Sequence, residues 1–291
     1  MSMNSLSPAA ATRPTTSAVQ VRPLSPAIGA EIIGVDLSRP LEDATFARIL
    51  DAWHQHLVIL FRDQQLSEDD QVRFAERFGP PARIHTKQFV TGHPAVMLIS
   101  NIRKDGKVIG ALPDGEMQFH SDQCHQEKPA MASLLYAIEI PKQGGDTLFA
   151  NGYLAYETLP ESVKRRIEGR KAVNAYDYDS AATKRGGDVG REAPSYAHPV
   201  VRTHPATGRK ALYVNRLMTR RIEGLPAEES DELLTILFDH QEKPEFIYGH
   251  VWRPGDLLMW DNRCALHART DFSAAERRLL RRVTILGEKP V

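Results

Sequence analysis

The hydrophobic period changes several times along this chain, and each change marks an element. Val19 to Leu24 and Ala30 to Val35 are short runs of strand-forming residues punctuated by Pro26 and Gly29, and they predict two opening strands. From Asp43 the period becomes helical, with Phe46, Ile49, Leu50 and Trp53 on one face, which predicts a helix from Asp43 to Trp53. His56 to Phe61 is a compact apolar run that predicts a strand. Ser67 is the expected N-cap of the next helix, with Asp70 three residues later as capping partner and Phe78-Gly79-Pro80 as its stop. Further strands are expected at Ala95 to Ile99 and Ser133 to Ile140, and helices at Leu154 to Arg166 and Ala227 to His240. The glycine- and charge-rich stretches within 81–115 and at 184–194 are candidate lids over a substrate. Strands at the centre and helices outside suit a mainly β fold with helical insertions (α+β), a double-stranded β-helix or jelly-roll.

Composition narrows the picture. Lys plus Arg equals Asp plus Glu at 37 each, so no net field recommends nucleic acid or an acidic membrane as partner. No apolar run approaches the roughly 20 residues that span a bilayer. The first 18 residues, rich in Ser, Pro, Thr and Ala, lack an apolar core of the signal-peptide kind and read as a disordered tail. Residues 19–291 then form a single domain, of a length that all-β barrels often reach. Cys124 and Cys264 are the only cysteines, which fits a reduced, cytoplasmic protein better than a disulfide scaffold.

The candidate chemistry lies in His120-Ser121-Asp122 and in His267, at the end of Trp260-Asp261-Asn262-Arg263-Cys264-Ala265-Leu266-His267. In an extended strand His120 and Asp122 turn to one face and Ser121 to the other. Two histidines and one carboxylate can hold Fe(II) by three positions and leave three open for chemistry. The same set also serves Zn²⁺ in hydrolases, and it could survive as structure in a jelly-roll that only binds a small anion. Arg278 follows His267 by eleven residues and Arg282 by fifteen. Their even separation puts both on one face of a strand, where guanidinium forks suit carboxylates. Arg277 and Arg281 read instead as a solvated basic patch. His125 lies three residues past Asp122 and would face the wrong side of a continuous strand. His198, His204, His240 and His250 read as loop or packing residues.

The order His-x-Asp, Gly144-Gly145-Asp146-Thr147, Trp-Asp-Asn-Arg-x-x-x-His, then an arginine eleven residues on, resembles the Fe(II)/2-oxoglutarate dioxygenases of the TauD/TfdA family. The likeness runs from about Val19 to the C-terminus and includes His198 to Pro205 and Arg282 to Gly287. It implies that His120, Asp122 and His267 are the metal ligands and catalytic centre, and that Thr147 and Arg278 take the far carboxylate of 2-oxoglutarate, with O₂ the other co-substrate. It implies further that Arg282 and His85 contact the anionic group of the substrate. Glu116 and Gln88 stand where the taurine-specific members carry asparagine and tyrosine, and their pocket aromatics are replaced near Ser180 and Met218. These departures favour a larger organic anion: an aryloxyalkanoate, an alkyl sulfate or another sulfonate, hydroxylated beside a heteroatom so that the product collapses. Relatives often form dimers or tetramers, so a homo-oligomer is expected.

Overall fold

The computed structural model describes residues 19–84, 92–111, 115–176 and 193–291. The expected tail 1–18, His85, Gln88, Ser180 and most of the 184–194 stretch lie outside the described residues. Two antiparallel-dominated sheets form the frame. The larger has seven strands in the order Gln20–Pro23, Ala30–Ile33, Val58–Phe61, Leu257–Asp261, Ala132–Glu139, Leu279–Ile285, Met97–Ser100. The smaller has four, in the order Ile247–His250, Thr147–Asn151, Ala265–Arg269, Met117–His120. This is the expected double-stranded β-helix.

Parity explains why the large sheet reads as unbroken apolar runs. Val58, Leu60, Leu135, Leu258, Trp260 and Leu280 turn inward and pack with Phe149 and Ala265 of the small sheet. Their neighbours Ile59, Phe61, Leu134, Leu257, Met259, Val283 and Ile285 turn outward and pack with Ile49 and Trp53 of helix Asp43–His56 and with Val72 and Phe74 of helix Glu68–Glu76. A sheet covered on both faces carries apolar residues on both parities of its strands. The second helix starts as the sequence says: Asp70 N–H donates to Ser67 Oγ at 3.1 Å, and Ser67 N–H to Asp70 Oδ2 at 2.9 Å.

Two expectations about local structure need correction. The helix read from Leu154 to Arg166 is two, Gly152–Glu157 and Glu161–Ile167. Pro160, with ψ at 141°, stands between them in extended geometry and has no N–H to carry the ladder across. Within 81–115 the strand sits slightly later than expected, at Met97–Ser100, and a hairpin follows, Arg103–Lys104 against Lys107–Val108. Its turn is Asp105-Gly106, with φ of 51° and 75°, the left-handed pair that a tight hairpin demands. Helix Ala227–Gln241 buries Leu233, Leu234, Leu237 and Phe238 as its pattern implies. Among the described residues no helix is long and apolar enough to cross a membrane.

Candidate active site

Strand register, not sequence proximity, brings the two histidines together. Ala265–Arg269 pairs antiparallel with Met117–His120, and His267 stands directly across from His120. Their ring centroids are 4.1 Å apart. The strand carrying His120 ends there, so Asp122 is not its next inward residue; it opens the turn that follows, in which Gln123 has φ of 58°. The turn still delivers it: donor atoms of His120, Asp122 and His267 all lie within 4.8 Å of one another, and all three residues are buried.

The protonation states suit a divalent cation. His120 Nδ1 lies 2.9 Å from the Gln118 carbonyl, which can only accept, so Nδ1 carries the proton and Nε2 keeps its lone pair. Burial lowers the pKa of both imidazoles, and His120 lowers that of His267 further, so both are neutral at pH 7. Burial alone would raise the Asp122 pKa, but the net shift is downward, and with both imidazoles neutral the Arg282 charge and the Ser133 hydroxyl keep the carboxyl ionised at pH 7. His267 Nε2 stands 3.9 Å from Asp122 Oδ1, too far for a hydrogen bond, and its buried Nδ1 has no hydrogen-bond partner among the described residues. Two neutral imidazoles and one carboxylate facing a shared gap are a donor set that fits Fe(II).

The two histidines of the trio open into a cleft that is partly open to solvent. Arg278 and Arg282 both line it, as their even spacing requires. Arg278 is 2 % exposed, and among the described residues no carboxylate pairs with it. Its Nη2 reaches only the Gly145 carbonyl at 3.2 Å, and burial together with Arg269 pulls its pKa down to about 9. Such a guanidinium is prepared for a ligand carboxylate. Thr147, across the cleft, accepts a hydrogen bond from Trp252 Nε1 at 3.0 Å. Because an indole N–H can only donate, the Thr147 hydroxyl proton stays available for a ligand. The two glycines just before it are required: a Cβ on Gly144 would lie 2.3 Å from the Asp271 carbonyl oxygen and one on Gly145 3.3 Å from Arg278 Nε, and both have positive φ. Arg282 stands nearer the trio, its Nη1 3.7 Å from Asp122 Oδ1.

Neighbouring residues complete the cleft, and two arginines, Arg269 and Arg281, depart from the sequence reading. Arg269 lines the same cleft, is buried, and donates to the Gly115 carbonyl. It lies two residues past His267 on one strand, so parity could have found it. Trp260 is both wall and core: it lines the cleft, is 1 % exposed, and its ring lies 4.6 Å from that of His267, tilted by 49°. Arg281 is not a solvated patch. It shares parity with Val283 and Ile285, points to the outer face, lies over the Tyr136 ring and donates to the Leu66 carbonyl at 2.5 Å. Arg277 is exposed, as expected, and pairs with Glu139.

A second buried cluster, His204, Asp261 and Cys264, has metal-like spacing but no open carboxylate. Arg263 backbone N–H, Nε and Nη2 donate to Asp261 at 2.9, 2.8 and 2.7 Å, and His204 Nε2 lies 3.0 Å away. With its oxygens filled, Asp261 anchors the turn that leads to His267. Both cysteines are free thiols, and burial pushes the Cys124 pKa up to about 12.

His198 pins the turn carrying Asp122, its Nε2 donating to the Gln126 carbonyl at 2.8 Å, and burial holds its pKa near 4. An unfolded histidine titrates near 6.5. The unfolded chain therefore takes up this proton first, and the stability present above about pH 6.5 is lost as pH falls toward about 4. Thermal melts between pH 7 and pH 4.5 are expected to fall less steeply for His198→Gln than for wild type; equal slopes would show that His198 does not titrate this way.

The comparisons agree with this geometry. The family model described as "Taurine catabolism dioxygenase TauD, TfdA family" matches residues 20–284. Pentalenolactone F synthase of Streptomyces avermitilis is 36 % identical over 284 residues, covering 91 % of this chain and 92 % of that one. The alpha-ketoglutarate-dependent 2,4-dichlorophenoxyacetate dioxygenase of Cupriavidus pinatubonensis is 34 % identical over 289 residues, covering 94 % and 99 %. A solved taurine dioxygenase from Burkholderia xenovorans superposes with a TM-score of 0.80 at 34 % identity, covering 94 % of this chain and 91 % of that one. A match to the family model over nearly the whole length, with relatives above 30 % identity, places this chain in the TauD/TfdA dioxygenase family.

Proposed function

We propose that the protein is an Fe(II)- and 2-oxoglutarate-dependent dioxygenase that hydroxylates a small organic anion beside a heteroatom. One observation carries the reading. His120 and His267 of the trio and the buried, carboxylate-free Arg278 line one cleft, with Asp122 converging on the two histidines, so a ligand held by its far carboxylate at Arg278 has its other end at the trio. The ferrous ion, when bound by the trio, supplies the O₂ chemistry: 2-oxoglutarate, O₂ and substrate R–H give succinate, CO₂ and R–OH.

The chain's own residues bind, orient and shield. Arg278 and the Thr147 hydroxyl fix one end of 2-oxoglutarate, and their separation from the trio selects its length. Trp260 and Leu135 form a dry wall beside the trio. Arg282, close to Asp122 but nearer solvent, is placed for the anionic group of the substrate, with His85 assigned beside it on the family pattern alone. Hydroxylation at carbon bonded to oxygen or sulfur gives a product that expels the heteroatom group and leaves a carbonyl. Two relatives are named for anions of this kind, 2,4-dichlorophenoxyacetate and taurine. A zinc hydrolase would leave the Arg278 and Thr147 arrangement without a purpose, and a silent anion-binding protein would leave the converged trio without one.

The test is substrate-stimulated succinate formation by Fe(II)-loaded protein across aryloxyalkanoates, alkyl sulfates and sulfonates. The panel includes an uncharged lactone, because one relative is named for a lactone. Stimulation by one anion class supports the proposal. Stimulation by the lactone alone would remove the anion and the role given to Arg282.

A further inference from the structure

Asn262 lies fully buried in the turn between strands Leu257–Asp261 and Ala265–Arg269. Its side-chain oxygen meets the Trp260 indole N–H at 2.9 Å and the Asp122 backbone N–H at 3.3 Å, and both of these can only donate. The amide's orientation is therefore fixed by chemistry, with its nitrogen toward Ser133 Oγ at 3.2 Å. An amide nitrogen only donates, so Ser133 accepts there, and its single hydroxyl proton must go to its other partner, Asp122 Oδ2, at 2.5 Å. Every proton in the chain Trp260, Asn262, Ser133, Asp122 thus points one way. Ser121 ties the same turn down by donating to the Asn262 carbonyl at 2.8 Å. Ser133 is 0 % exposed, so no water competes for its hydroxyl.

The geometry points to Ser133 and Asn262 as a positioning pair that makes Asp122 a one-oxygen ligand. It commits Oδ2 to a charge-assisted hydrogen bond and leaves Oδ1, which faces His267 and Arg282, for the ion. This rests on the reading that the trio holds a divalent cation. A carboxylate free to turn can offer both oxygens to a cation and so take up a position that the co-substrate needs. The pair acts through Asp122 and touches neither cation nor substrate.

Ser133→Ala removes the hydroxyl without adding volume. Asn262→Asp keeps the acceptor for Trp260 but replaces the N–H donor with an oxygen that competes for the Ser133 proton. Co(II) is the probe, because its visible absorption reports coordination without any turnover. Both variants are expected to bind Co(II) within about threefold of wild type, to show an altered Co(II) spectrum, and to bind 2-oxoglutarate about 10–100-fold more weakly in the Co(II)-loaded form. Ser133→Thr, which restores a hydroxyl, is expected to recover the wild-type spectrum. Unchanged 2-oxoglutarate affinity and an unchanged spectrum in folded Ser133→Ala would overturn the inference, as would loss of Co(II) binding itself. If wild type and His120→Ala bind Co(II) alike, the metal-site reading has failed and takes this inference with it, an outcome distinct from failure in the Ser133 arm alone.

Discussion

His267→Ala is expected to abolish succinate formation and to weaken Fe(II) or Co(II) binding beyond ordinary assay range. The argument is one of geometry and charge. His267 sits opposite His120 in register and faces Asp122 Oδ1 across a gap, so its removal leaves a cation with two protein donors where three converge. A metal that contributes several kcal/mol to a transition state contributes about a thousandfold or more in rate, and that factor is lost with it. The fold should persist. His267 packs between Trp260 and Phe149, and alanine leaves the strand ladder intact. Circular dichroism and a thermal melt separate a dead site from an unfolded chain. Retained metal binding and turnover in folded His267→Ala would remove this residue from the site.

Arg278→Ala is the second large effect, and its signature is opposite signs in two measurements. Losing one partner of a buried, hydrogen-bonded charge pair costs about 2–5 kcal/mol, on the order of 30- to 5,000-fold in apparent affinity for 2-oxoglutarate. The ligand-free protein should not suffer. Arg278 is buried with no carboxylate partner among the described residues, and Arg269 repels it, so its charge is a burden until a ligand arrives. The melting temperature without ligand is expected to hold or rise, while the stabilisation that 2-oxoglutarate confers on the metal-loaded protein disappears. A fall in both would mark Arg278 as a structural residue. Arg278→Lys should recover little, because a point charge cannot reproduce the two-pronged contact.

What could be read from the sequence was whatever depends on local spacing. The even step from Arg278 to Arg282 put both in one cleft, and Ser67 and Asp70 formed their capping box as written. The convergence of His120 and Asp122 came out right for a partly different reason, since the strand ends at His120 and a turn supplies the carboxylate. Arg281 was misread because its charge was weighed and its parity with Val283 and Ile285 was not. Pro160 announced the break in its helix plainly enough. Other features were out of reach. His267 and His120 meet on adjacent strands that lie far apart in sequence, and Ser133 reaches the turn carrying Asp122 from a strand of the other sheet, so no short-range rule finds them. Family resemblance named Thr147, but only the Trp252 contact shows why its hydroxyl is free to donate.

The most direct test of the central claim is to follow isotopically heavy O₂ through a single turnover of the Fe(II)-loaded protein with 2-oxoglutarate and the best anion of the panel. One labelled oxygen atom in succinate and one in the initially hydroxylated product, formed one to one and absent from His120→Ala, is the expected result. Succinate without label, or turnover that proceeds without O₂ or 2-oxoglutarate, would contradict the account, and turnover without either would identify a hydrolase.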